Sequence, residues 1–379
     1  MRVGVDLLWV KPEKSGGVEA YIRNLLSGLL MYDNIHYTLF VTRDNAQSFQ
    51  PYAGGCCALV ECPVCAEPVG RRVVWQNLHF GRMVRRARLD VLFTPVYCKS
   101  FFNVRGIRYI TTIHDLQAIH FPQYFSFLRR RWLMFSWARA CATSNNIVAI
   151  SQFVKEDILR HYRRAANKVE VIYNPVTLTA PADTQPAFEE LQNAYGLRDR
   201  SYFCTVGSSL PHKNLLTILR VMERIRDEHP DLPQRLVVAG VSGGGQDELQ
   251  RYVREHGLAE QVIFAGYVSD EWRDALYHHA ALFLFPSLFE GFGMPPVEAM
   301  MAGANVVTTR CASIPEVTEN LAFYVDDPED AGEWLTRIQT AIGAPAPDYQ
   351  NRRYTLPVIA AQYRALFDPA AARETDVSR

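Results

Sequence analysis

The chain has 379 residues, 48% hydrophobic and 21% charged, with 40 Lys+Arg against 40 Asp+Glu. That length predicts two domains of a soluble globular protein, and no stretch approaches the ~18 uninterrupted apolar residues of a membrane span. Asp6 falls where the apolar region of a signal peptide would lie, so a cytoplasmic protein is expected, and the eight cysteines fit that compartment if reduced.

Along the chain, Arg2 to Val10 reads as a buried opening strand, and Val18, Ile22, Leu25, Leu26 and Leu29 give helical spacing up to Leu30. Strands follow at 36–42, 91–93, 110–113 and 147–150, separated by helical stretches at 73–88, 128–142 and 153–161. Such alternation predicts a parallel sheet with helices on both faces. Residues 169–173 form a last strand, closed by Asn174-Pro175. A linker over about 174–200 follows, with a short helix before Ser201. From Tyr202 the pattern restarts, with strands at 202–206, 236–239, 262–264, 282–285, 305–308 and 323–325. After a Pro-rich break at 344–347, a final helix runs from Leu356 to Phe367. The expected organisation is 1–173, 174–350 and a C-terminal segment 351–379 that crosses back to the first domain. Open parallel sheets bind ligands beyond the carboxyl ends of their strands, so functional motifs belong in the turns there.

The most specific motif is Glu290-Gly291-Phe292-Gly293-Met294-Pro295-Pro296-Val297-Glu298, just after the 282–285 strand. Glycines let the backbone approach a ligand, and proline suits a first helical turn, where no N–H is needed. A helix start there offers N–H groups and a positive dipole end to a diphosphate. Glu290 is placed near a sugar. Glu298 is placed in the first helical turn, accepting from two ribose hydroxyls.

This segment resembles the E-x7-E signature of retaining glycosyltransferases of family four, which have the GT-B fold. Four further elements resemble that family in the same order: Gly16-Gly17-Val18-Glu19, Thr112-Ile113-His114-Asp115-Leu116, Val206-Gly207-Ser208-Ser209-Leu210-Pro211-His212-Lys213-Asn214, and Ile314-Pro315-Glu316-Val317. The resemblance implies an α/β protein with two Rossmann-like, doubly wound parallel-sheet domains facing across a cleft. It implies a nucleoside-diphosphate sugar as donor, GDP-sugar favoured, with neither metal nor other cofactor. Donor contacts fall to Gly17, Ser208, Lys213, Gly291, Phe292, Gly293, Met294 and Glu298. Acceptor contacts fall to Gly16, His114 and Asp115. Glu290, Lys213 and His114 carry the chemistry. The look is closest to bacterial mannosyl- and rhamnosyltransferases of surface polysaccharide assembly, with a saccharide or lipid-linked saccharide acceptor.

Lys213, after a strand and a glycine turn and opening the next helix, can neutralise a departing diphosphate. Many relatives carry an arginine where Ser208 or His212 stands here, so the positive charge must come from Lys213, from helix dipoles, from a protonated His212 or from an arginine elsewhere. Asp115 either holds the His114 tautomer or caps the next turn. No G-x-G-x-x-G follows the first strand, which speaks against a nicotinamide or flavin. Gly240 to Gly245 lacks the Lys-Ser/Thr of a phosphate loop and reads as a flexible turn. Cys62 and Cys65 have zinc or redox spacing without a second pair, and buried thiols are the alternative.

Residues 1–175 hold 23 Lys+Arg against 12 Asp+Glu, and residues 176–379 hold 17 against 28. Arg129, Arg130 and Arg131 lead into Trp132, Phe135 and Trp137, and Arg82, Arg85, Arg86 and Arg88 form a second basic group. An anionic membrane surface is one reading, with the protein peripheral on the inner face of the plasma membrane. Core aromatics with solvated arginines are the other. Two further function classes stand beside transfer: an epimerase or hydrolase of nucleotide sugars, and a non-catalytic sugar-nucleotide-binding protein.

Overall fold

A computed structural model describes residues 1–11, 16–240, 243–349 and 352–369. The chain divides into two compact units, one of Met1–Pro175 with the segment from Arg352, the other of Val176–Asn351.

The first unit has seven strands: β1 (Arg2–Asp6), β2 (His36–Thr42), β3 (Cys57–Cys62), β4 (Val91–Thr94), β5 (Arg108–Ile113), β6 (Asn146–Ala149) and β7 (Val169–Val171). They run parallel in the order β3-β2-β1-β4-β5-β6-β7, so the winding direction switches between β1 and β4. Strand periodicity sorts side chains to two faces. Val3, Val5 and Phe93 join the core under α1 (Gly16–Leu29), while Phe40, Leu92 and Tyr109 pack with Phe80 and Val84 on the other.

The C-terminal helix α7 (Leu356–Phe367) belongs to this unit. Its Ile359, Ala360, Tyr363 and Phe367 are fully buried against α1 and Phe93, and Gly28 of α1 lets the two helices approach closely. Burying a side chain such as Ile359 or Phe367 stabilises by about 1.5–3 kcal/mol. Arg108 donates to the carbonyls of Leu366 and Phe367, capping the helix's negative end.

The second unit has β8 (Tyr202–Val206), β9 (Arg235–Ala239), β10 (Val262–Gly266), β11 (Leu282–Phe285), β12 (Val306–Thr309) and β13 (Phe323–Val325). All pairs are parallel in the order β10-β9-β8-β11-β12-β13, with the switch between β8 and β11.

Several elements differ from expectation. The opening strand ends at Asp6 because Leu7–Val10 form a turn, in which the Asp6 carboxylate accepts from the Leu8 N–H. The helix expected over 73–88 is broken into Val69–Trp75, a π-helical turn at Gln76–Phe80 and Gly81–Arg86. That turn aims Gln76 at the buried Asp6, 2.7 Å away. As expected, the stretch over 174–200 holds a short helix before Ser201, α3 (Gln185–Tyr195), fastened by Phe188 stacking on His279 at 3.8 Å.

Candidate donor and acceptor sites

In the second unit, the turns after β8 and β11 leave the two strands that flank the switch point, where a doubly wound sheet opens a crevice. Lys213 lies on the first turn and Glu290 on the second, and Lys213 Nζ is 2.5 Å from Glu290 Oε1. The backbone joins the turns as well, since Leu288 N–H donates to the His212 carbonyl at 2.8 Å. Ser313 Oγ lies 2.9 Å from the Glu290 carbonyl and 3.0 Å from that of Phe292, fixing the shape of the glycine loop.

Gly240 follows β9, next to the turn after β8. A Cβ there would stand 1.9 Å from the Gly207 carbonyl oxygen, and its φ is +137°. Only glycine fits. Gly245 N–H donates to the Ser209 carbonyl. The glycine run is therefore packed at both ends, while Val241 and Ser242 lie outside the described residues. Ser208, on the turn after β8, is half-buried.

Three expectations for this region are corrected. Lys213 does not open a helix. It ends the 3-10 turn Pro211–Lys213, Asn214 follows in a left-handed conformation at φ +53°, and α4 (Leu215–Glu228) starts after it. Glu298 lies one turn further into α6 (Met294–Met301) than expected, at its fifth residue. Of the first three residues of α6, only Met294 carries an N–H, because Pro295 and Pro296 have none. Gly291, Phe292, Gly293 and Met294 are all buried. Gly293 at φ +88° turns the loop into the helix.

His212 does not supply positive charge. Burial, then the neighbouring Lys213, push its pKa down to about 4, so it is neutral at pH 7.

Glu298 is 5% exposed and accepts from the Tyr277 hydroxyl at 2.8 Å. Arg273 Nε is 3.8 Å from the same carboxylate. Both partners lie on α5 (Asp270–His279). Burial lifts the Glu298 pKa, with Arg273 and the Tyr277 hydrogen bond opposing. The Arg273 guanidinium also binds Asp274 and Asp270, at 2.7 Å each. Sequence reasoning missed Arg273 and Tyr277, because they belong to no glycine turn and are joined to Glu298 only by folding.

In the first unit, His114 follows β5, and its Nε2 is 2.8 Å from the Pro95 carbonyl, just beyond β4. A carbonyl only accepts, so Nε2 carries the hydrogen. Burial pushes the His114 pKa down to about 4. The ring is therefore neutral at pH 7, with a lone pair on Nδ1. The Pro95 carbonyl sets this tautomer, and the Asp115 carboxylate accepts from Gln117 N–H at the start of the helix Gln117–His120. The Tyr21 ring meets His114 edge-on at 4.9 Å, and the Tyr21 hydroxyl bonds Tyr363 of α7 at 2.5 Å and Thr112 at 3.2 Å. Nothing in the local sequence signals that three-way contact.

Gly16 and Gly17 form the first turn of α1 rather than a preceding loop. A Cβ on either would meet nothing within 4 Å. Residues 12–15, just before them, lie outside the described residues. Cys62 is buried and Cys65 exposed, both as free thiols. Among the described residues, no group of three or more His, Cys, Asp or Glu is placed to hold a metal ion.

Two family models match the chain, Glycosyltransferase Family 4 over residues 15–180 and Glycosyl transferases group 1 over residues 187–354. The chain belongs to this glycosyltransferase family. It is 28% identical over 243 residues to the O-antigen chain mannosyltransferase RfbU of Salmonella typhimurium, a match covering 64% of this chain and 63% of that one. It is 31% identical over 231 residues to the O-antigen chain mannosyltransferase B of Escherichia coli, covering 59% and 58%. The chain thus spans about three fifths of the length of these curated relatives. Among solved structures, the sucrose-phosphate synthase of Thermosynechococcus elongatus superposes with a TM-score of 0.78 at 19% identity, over 98% of this chain and 100% of that one. Anabaena HepE in complex with UDP and glucose superposes at 0.71 and 19% identity, over 96% and 98%. Both likenesses bear on the fold, which is GT-B with its two parallel-sheet α/β units.

Proposed function

We propose that this protein is a retaining hexosyltransferase, moving mannose or rhamnose from a nucleoside-diphosphate sugar to a saccharide acceptor. GDP is the favoured nucleotide. The acceptor is a lipid-linked saccharide of O-antigen-type polysaccharide assembly, elongated in the cytoplasm. The O-antigen mannosyltransferases among its relatives support the sugar and the acceptor class. The observation that carries the reading is the Lys213–Glu290 pair at the switch point of the second sheet.

In this reading the diphosphate lies by Lys213. The bond from the sugar's anomeric carbon to the β-phosphate oxygen breaks, its electron pair goes to that oxygen, and the Lys213 ammonium stabilises the growing charge. Glu290 holds sugar hydroxyls, and Glu298 holds the ribose. The acceptor oxygen bonds to the anomeric carbon on the face the diphosphate leaves, and its proton passes to the departing phosphate oxygen. A paired acid and base of the glycosidase kind is not required. His114, through Nδ1, accepts from a hydroxyl of sugar or acceptor.

A thermal-shift screen with GDP-mannose, UDP-glucose, TDP-rhamnose and ADP-glucose tests the donor, since a ligand that binds only the folded state raises the melting temperature. The reading predicts a shift with GDP-mannose above the others. No shift with any of the four would contradict it. Product analysis by proton NMR then tests retention, and an inverted anomer would overturn that part.

A further inference from the structure

The first unit carries an outward face that its own core does not use. Between Glu67 and Glu156 the chain has fourteen Lys and Arg but only two acids, Asp90 and Asp115. Within that stretch, large apolar side chains point to solvent: Val74 is 60% exposed, Leu78 66%, Phe102 69% and Leu128 79%.

These residues form one region. Helix α2 (Phe127–Thr143) sets Leu128, Trp132 and Phe135 on one stripe, at spacings of four and three. The Phe101 ring packs on Trp132 at 5.6 Å and on Phe135 at 5.3 Å, which brings Phe102 alongside. The Phe101 N–H donates to Asn77 Oδ1 at 2.7 Å, which ties in the helical segment carrying Val74 and Leu78. Arg82, one turn beyond Leu78, is exposed, as are Arg71, Arg129 and Arg131.

A contiguous exposed apolar patch marks an interaction surface. Its rim decides the partner. Two copies meeting through this face would bring arginines against arginines, with no carboxylate between Asp115 and Glu156 to relieve them. A soluble polyanion would match the arginines but leave the apolar side chains in water. Anionic lipid satisfies both, with phosphates for guanidinium groups and an acyl boundary for Leu and Phe.

We propose that this face, centred on Leu78, Phe102, Leu128 and Phe135 and rimmed by Arg71, Arg82, Arg129 and Arg131, docks on an anionic lipid bilayer surface. No described helix is long and apolar enough to cross a membrane, so docking is at the headgroup level. The inference does not rest on the chemistry at Lys213. A donor screen can fail while docking holds, and the reverse.

Co-sedimentation tests it. The wild-type chain should pellet with vesicles of equal parts phosphatidylglycerol and phosphatidylcholine, not with phosphatidylcholine alone, and less as salt rises. Two variants at exposed positions separate the contributions, each checked for fold by circular dichroism. Phe102→Ser with Leu128→Ser, and Arg129→Glu with Arg131→Glu, should each weaken partition by roughly tenfold or more. Equal binding to both vesicle types would overturn the proposal. So would loss of binding with the arginine pair but full binding with the Phe102/Leu128 pair. A dimer in light scattering that Phe102→Ser with Leu128→Ser makes monomeric, with no vesicle binding, would assign the face to a second copy instead.

Discussion

Lys213 and Glu290, 77 positions apart in the chain, meet at 2.5 Å on turns that leave adjacent strands. Their side chains are 19% and 14% exposed, so water screens the pair only in part. The cation proposed for the diphosphate is thus already engaged. A donor must share or displace Glu290, and that gives a test with a definite sign. Glu290→Gln keeps the shape and releases the ammonium. It should bind GDP several-fold more tightly in calorimetry, yet transfer the sugar more slowly. Weaker GDP binding in a folded Glu290→Gln protein would show that the two side chains do not compete.

Glu298→Ala should weaken nucleotide binding, because ribose hydroxyls lose a charged acceptor worth about 1.5–3 kcal/mol. Arg273 keeps Asp274 and Asp270 in this variant, so the local fold should hold. Unchanged affinity for the nucleoside diphosphate, measured by calorimetry, would remove Glu298 from the ribose site.

His114 has its pKa lowered to about 4 by burial, against 6.5 in an unfolded chain. Between these values the unfolded state binds more protons, so this group's contribution to stability rises with pH. It is complete above about pH 6.5 and is lost as pH falls toward 4. Asp6, raised by burial to about 6, acts in the opposite sense and cancels when variants are compared. His114→Gln can keep a donor for the Pro95 carbonyl without titrating. Denaturation midpoints from pH 4 to 7 should therefore rise less steeply in His114→Gln than in wild type. Parallel curves would mean that His114 is protonated as easily folded as unfolded.

Gly240→Ala should cost about 3 kcal/mol or more, since its Cβ overlaps the Gly207 carbonyl and its φ is one that side chains avoid. Urea denaturation measures this directly. A loss below about 1 kcal/mol would mean that the β8 and β9 ends part easily.

Much of the fold is legible in local pattern. The strands at His36–Thr42, Tyr202–Val206, Leu282–Phe285 and Phe323–Val325 and the helix at Leu356–Phe367 are bounded as their apolar runs and breakers imply. What the pattern misses depends on distant partners. Leu7, Leu8 and Val10 are as buried as a strand, but a turn held by the Asp6 carboxylate takes them out of the sheet. Gln76 sits in a π-helical turn, next to an aspartate 70 positions away that no periodicity reveals. Glycine turns after strands single out Lys213, Glu290 and Glu298 as candidates, while the local pattern misplaces Lys213 and Glu298 relative to the helix starts. The Lys213–Glu290 pairing, the Arg273 and Tyr277 contacts and the Pro95 carbonyl that sets the His114 tautomer come from strand order and backbone geometry.

Single-turnover transfer at saturating donor tests the central claim most directly, comparing wild type, Lys213→Ala and Lys213→Arg. Lys213 is assigned to charge that grows as the glycosidic bond breaks, so its loss should fall on the rate more than on donor affinity. Removing one such contact typically costs about 10²–10³-fold. With His212 neutral and Ser208 uncharged, no neighbour in this turn replaces the ammonium. The account predicts that Lys213→Ala loses at least about a hundredfold in rate with a modest loss of donor affinity, and that Lys213→Arg retains part of the activity. A Lys213→Ala rate within a few-fold of wild type would contradict it and place the phosphate-neutralising group elsewhere.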